Sequence, residues 1–174
     1  MKQIWTVVLA LMLTACGFSA GNIPADHFYR LPAAKPLATA VPVTIQSVRA
    51  DGIYNERALL FVESARPLEL KRYDYHFWSQ TPAKLTQSYL STCLVYPGAE
   101  HMTDKTLQTR QWAPVIESFE RVLESGKAQV LVKLRINQRL YEANVMATSM
   151  EMHDTIVAYG QAMQTICEAM ARDL

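Results

Sequence analysis

Among the side chains of this sequence that could do chemistry, the three thiols of Cys16, Cys93 and Cys167 come first. They are too few and too scattered for a disulfide scaffold or a four-ligand zinc site. His27, His76, His101 and His153 are equally dispersed, and none belongs to the His-Glu-x-x-His pattern that sets two ligands and a base on one helical face. No metal and no cofactor is expected. A serine nucleophile would need the Gly-x-Ser-x-Gly frame of a tight strand-to-helix turn, and neither Ser19 nor Ser125 stands in one. Phosphate-cradling glycine loops are absent too. Asp51 and Glu56 are carboxylates that could meet in a cleft, yet scattered acids are ordinarily solvated surface. The expectation is a protein without catalytic residues.

Cys16 calls for a different chemistry. Lys2 gives a positive start, and Ile4 to Leu13 is apolar at every position but Thr6. As a helix this run reaches only ~15 Å, half of the ~30 Å hydrocarbon layer, so it reads as a secretory signal and not as a span. Leu13-Thr14-Ala15-Cys16 resembles the lipobox of bacterial lipoproteins, in which the cysteine thiol receives a diacylglyceryl group and becomes the mature first residue. The alternative is an ordinary signal peptide cut elsewhere, with Cys16 incidental. Two or more acyl chains hold a protein stably at a bilayer where one holds marginally. Gly17, in place of the Asp that favours inner-membrane retention in enteric lipoproteins, directs the expectation to the periplasmic face of the outer membrane. Residues 1–15 are then the signal peptide and 16–25 a lipidated tether of small and polar residues.

Cys93 and Cys167 each fall on the apolar side of an expected helix, in a chain bound for an oxidising compartment. A disulfide between them is worth about 4 kcal/mol in the loop-entropy picture. The alternative is two buried free thiols acting as small hydrophobes, and the sequence leaves both open. Tyr73-Asp74-Tyr75-His76-Phe77-Trp78 is the densest aromatic stretch. Successive strand residues face opposite ways, so part of it should stay outside, and Tyr73, Tyr75 and Trp78 are the candidate partner contacts. Cross-strand packing with Trp78 as a lid is the competing use.

The elements that must carry these residues follow from periodicity. His27 to Leu31 is a short extended segment, and Pro32, Pro36 and the intervening alanines are an extended linker. Val41, Val43 and Ile45 alternate with Pro42, Thr44 and Gln46, predicting a strand to about Arg49, closed by an Asp51-Gly52 turn. Ala58 to Val62 is a strand buried on both faces. Beyond Pro67 the apolar parity switches between Leu68, Leu70 and Tyr73, Tyr75, Phe77, so a bulge near Lys71-Arg72 is expected. Thr81-Pro82 opens a helix that runs to about Leu94. Pro97 to Lys105 reads as loop, with a short strand near Leu107. Val115 to Glu124, Ala128 to Ile136 and Arg139 to about Thr148 form successive strands, the first joined to the second at Ser125-Gly126. A closing helix capped by Asp154 buries Ile156, Tyr159, Met163, Ile166, Cys167 and Met170.

The chain's 174 residues, 50% hydrophobic and 19% charged, suit one compact domain at 26–174 and exclude a disordered or collagenous protein. The net charge of +1 falls to zero when Lys2 leaves with the signal, so nucleic acid is not an expected partner. Homo-oligomerisation stays open.

In its order of pieces the sequence resembles the ABC-type transport auxiliary lipoproteins, the paraquat-inducible protein C group. The resemblance spans nearly the whole mature chain. It rests on the lipobox, Phe28-Tyr29-Arg30-Leu31, Val43 to Arg49, Tyr54-Asn55-Glu56-Arg57, Tyr75-His76-Phe77-Trp78 with Pro82 and Leu85, Phe119-Glu120, the Gly126 turn and the final Ala/Met-bearing helix. The family often has a fuller loop and strand where Pro97 to Lys105 is plain. The resemblance implies an α/β fold, a mixed and largely antiparallel sheet with at least two packed helices, similar to anticodon-binding-like and TolB amino-terminal domains. It implies partnership with an MCE-domain protein and an ABC transporter in intermembrane lipid transport, with no catalytic residues to carry over. A periplasmic lipid-binding carrier and an envelope hydrolase are the alternatives.

Overall fold

The computed structural model describes residues 24–98 and 109–174. The signal segment 1–15, Cys16, most of the tether and the strand expected near Leu107 lie outside the described residues. Among the described residues eleven strands and two helices follow one another: β1 (His27–Tyr29), β2 (Leu37–Ala38), β3 (Val43–Ile45), β4 (Arg49–Ala50), a 3-10 turn (Gly52–Asn55), β5 (Ala58–Glu63), β6 (Arg66–Trp78), α1 (Pro82–Cys93), β7 (Leu94–Val95), β8 (Arg110–Trp112), β9 (Val115–Glu124), β10 (Lys127–Ile136), β11 (Arg139–Met146) and α2 (Met152–Arg172).

The main sheet has seven strands, ordered β1-β6-β5-β9-β10-β11, with β4 pairing β9 beside β5. It is mixed: β5–β6, β9–β10 and β10–β11 are antiparallel, while β1–β6, β4–β9 and β5–β9 are parallel. This is the expected α/β architecture. The β9–β10 turn takes its shape from Ser125 and Gly126, with φ of 44° and 79°. Positive φ at both central residues matches the twist of the strands that the turn joins.

Alternation along β10 puts Val130, Val132, Leu134 and Ile136 under the helices, all at most 3% exposed. Trp78, Phe119 and Tyr159 meet at the centre. Trp78 stands edge-on to Phe119 and Tyr159 at centroid distances of 5.4 and 4.9 Å, and Phe119 stacks on Tyr159 at 4.8 Å. Such pairs add about 0.5–1.5 kcal/mol beyond the area they bury.

The helices start where the local chemistry permits. Thr81 caps α1, its hydroxyl accepting from the Lys84 amide at 3.5 Å, and Pro82 at the first helical position gives up no hydrogen bond. α2 begins before the expected Asp154. Glu151 is the residue at its cap, without a side-chain hydrogen bond, and Asp154 instead accepts from Ser149 Oγ at 2.6 Å in the first turn. That bond, with a second from Thr148 and the nearby His153, holds the Asp154 carboxyl below its ordinary range.

Two expected strands differ in detail. The segment from Val41 to Arg49 is divided, because β3 pairs in parallel with β8 while β4 pairs with β9. The β5–β6 register shifts on both sides of Lys71-Arg72; past it, Ala58 faces Phe77 and Leu60 faces Arg72, so the four residues Tyr73 to His76 stand opposite Leu59 alone, three more than the ladder with β5 needs.

Between β1 and β3 the chain straps the two helices together. Gln164 of α2 accepts from the Lys35 amide at 3.0 Å and donates to its carbonyl at 3.3 Å. Pro32 packs on Gly160, where an added Cβ would lie 2.6 Å from the ring. Tyr89 of α1 donates to the Gly160 carbonyl at 3.1 Å, so strap and both helices converge at this glycine.

Candidate functional site

The aromatic stretch of β6 is placed by the β1 ladder and by the bulge, and the two send its members to different environments. In-register pairing of His27, Phe28 and Tyr29 with His76, Phe77 and Trp78 stacks like on like. The His27 and His76 rings lie 5.2 Å apart, and those of Phe28 and Phe77 lie 5.7 Å apart. Arg57 fastens this edge from the neighbouring strand end. Its Nε donates to the Trp78 carbonyl at 3.0 Å, and its guanidinium sits 5.3 Å from the centre of the Phe28 ring.

Of the three aromatic contact candidates, Tyr75 is exposed, at 37%. Trp78 is 0% exposed and belongs to the core, which removes it from any contact surface. The reason is register: pairing with Tyr29 points Trp78 to the helix side of the sheet. Tyr73 is half-buried, packs on Phe61 and accepts from Arg121 at 2.8 Å, so its hydroxyl is taken up inside the protein. Phe28, which the sequence pattern did not single out, is 57% exposed beside Tyr75's strand. Beside this edge the bulge opens a hollow of about 310 Å³, with Tyr73 and Phe77 as aromatic walls and Glu56, Arg57, Arg72 and Asp74 as a charged rim. Glu56 pairs with Arg72 across 3.6 Å at this rim.

The electrostatics beneath this surface rest on Arg121. It is 4% exposed, and it donates to Tyr73 and, at 2.5 Å, to the Met150 carbonyl ahead of α2, while its Nε has no partner. Burial first, then the neighbouring His27 and the Arg121 guanidinium, hold the His76 imidazole below its ordinary pKa. His76 Nδ1 and the Tyr29 hydroxyl are hydrogen-bonded at 2.8 Å. On the far side of the sheet Tyr54 donates to the buried Glu120 at 2.5 Å, and burial together with this carboxylate pushes the Tyr54 hydroxyl well up.

Cys93 and Cys167 are both free thiols at 0% exposure. The neighbouring Cys93 first, and then burial, drive the Cys167 thiol strongly up. Open grooves of about 380 and 300 Å³ flank the strap at Pro32, one toward Leu85 of α1 and the other toward Val157 of α2. Among the described residues no group of three or more His, Cys, Asp or Glu side chains could hold a metal ion, and no helix is long and apolar enough to cross a membrane.

No protein-family model matches the chain. No curated protein matches it either. The fold is shared with solved structures. A Xanthomonas campestris protein described as a DUF330 family member superposes with a TM-score of 0.64 at 14% identity, over 86% of this chain and 95% of that one. A second, described as an uncharacterized protein, gives a TM-score of 0.57 at 11% identity, over 86% of this chain and 99% of the other. At such identities the likeness is one of fold, and it extends over nearly the full length of both structures.

Proposed function

We propose that this protein is a periplasmic lipoprotein held to the outer membrane by acyl chains on Cys16. There it serves as a non-enzymatic docking component of an MCE and ABC-type lipid transport system. The observation that carries the reading is Leu13-Thr14-Ala15-Cys16 behind Lys2 and an apolar run too short to span a bilayer. The ordered motifs along the chain support the choice of system. The exposed Phe28 and Tyr75, beside a hollow rimmed with both charge signs, supply an aromatic anchor of the kind that partner surfaces use.

Docking is preferred over a lipid carrier because the grooves at the strap are open, whereas a carrier must cover much of an acyl chain. Envelopes crosslinked in living cells and solubilised should yield an MCE-domain protein with the tagged chain. Phe28→Ala together with Tyr75→Ala should weaken that capture while leaving the fold intact. Undiminished capture by the folded double variant overturns the surface assignment, and capture of no MCE protein at all overturns the choice of system.

A further inference from the structure

Three observations meet at Cys93 and Cys167. Cys93 is the last residue of α1 and Cys167 lies in the last third of α2. Both belong to one buried core cluster, and Tyr89, one turn before Cys93, reaches Gln164, about one turn before Cys167, so packing brings the two helix turns that carry the thiols side by side. The helices are already held in place by other bonds, since Tyr89 donates to the Gly160 carbonyl and lies 3.2 Å from Gln164 Oε1. A cross-link here would join what packing has already brought together.

The count of thiols matters as well. The sequence has three cysteines, and acylation converts Cys16 to a thioether. Two thiols are then left, so one intramolecular pairing is available and no scrambled one.

We propose that Cys93 and Cys167 form a structural disulfide in the exported protein, an inference that rests on the periplasmic location proposed above. The two thiols lose two protons and two electrons and become one S–S bond. A disulfide-bearing thiol oxidase accepts both electrons, its own disulfide being reduced to two thiols. Because both cysteines are fully buried in the folded domain, exchange takes place while the newly exported chain is still folding. Once closed, the bond is shielded from small reductants by the same burial.

The test is a thiol count on the full-length exported lipoprotein. It is purified in detergent, denatured in the presence of N-ethylmaleimide and weighed by mass spectrometry before and after reduction. The expected result is no maleimide adduct before reduction and two after it, mapping to Cys93 and Cys167. Reduction of the unfolded protein followed by refolding without oxidant should lower the thermal midpoint by roughly 5–15 °C.

If two adducts form without reduction, the same protein is reduced, unfolded and refolded in a glutathione redox buffer. Closure there upholds the site and places the failure in the proposed location. Two free thiols after that treatment as well overturn the disulfide itself.

Discussion

Trp78 and Tyr75 lie three positions apart on one strand and have opposite uses. Trp78→Ala removes the ring that packs edge-on against both Phe119 and Tyr159, and it should cost about 3–5 kcal/mol in denaturant unfolding. Tyr75→Ala empties a surface position and should stay within about 0.5 kcal/mol of the parent, its effect appearing only in partner capture. A Trp78 variant of unchanged stability would contradict the core described above. Both residues were legible as a pair in which some member faces out. Which one did so was not, because the ladder with β1 and the surplus residues of the bulge fix the facing, and both are long-range pairings. Arg121 left a clearer trace: it stands two residues past Phe119, at a position whose parity belongs to the core. The tyrosines make a second prediction. Burial first, then the Asp173 carboxylate, push the Tyr141 hydroxyl up to about 12, against ~10 in the unfolded chain. The folded state thus holds this proton more tightly, so the contribution is complete below pH ~10 and is lost as pH climbs from ~10 to about 12. Tyr54, Tyr89 and Tyr159 are shifted in the same direction, chiefly by burial. Unfolding midpoints measured across that window should fall steeply, and Tyr141→Phe should flatten the fall.

The helices and the strap meet at one glycine. Gly160→Ala would ordinarily favour a helix, by close to 1 kcal/mol. Here the new methyl would lie 2.6 Å from Pro32, whose ring cannot swing aside as a flexible chain end could. The variant should lose about 1–3 kcal/mol and become more readily cleaved by protease between residues 31 and 38. Equal resistance to cleavage would show that the strap gives way without loss. Elements with a local signature were legible in advance: α1 from Thr81-Pro82, the β9–β10 turn from Ser125-Gly126, and β10 from its alternation. The segment from Val41 to Arg49 reads as one strand and forms two, since its halves find partners more than sixty residues away, at Arg110–Trp112 and at Val115–Ile116. No local pattern encodes that division.

For the whole protein the proposed anchor makes the broadest prediction. Cys16→Ala should leave the folded domain in the soluble periplasmic fraction and abolish labelling by palmitate analogues, whereas the parent should sediment with outer membranes. Sedimentation of the variant with membranes would refute anchoring through this residue. The α/β fold with its mixed sheet is the part of the expectation that the structure and its likeness to the Xanthomonas campestris protein bear out. The path of the chain between tether and core adds a mechanical consequence. β1 is a marginal strand of three residues, and after it come the Tyr29–Ser79 backbone bond, the Lys35–Gln164 clasp and the two-residue β2–β7 pairing. Tension entering through an acylated end would meet these weak links in series before it reached the helices. Stripping residues 24–38 would pay out on the order of 50 Å of extra line, so a domain tugged by its partner could lengthen its leash while its core stays folded.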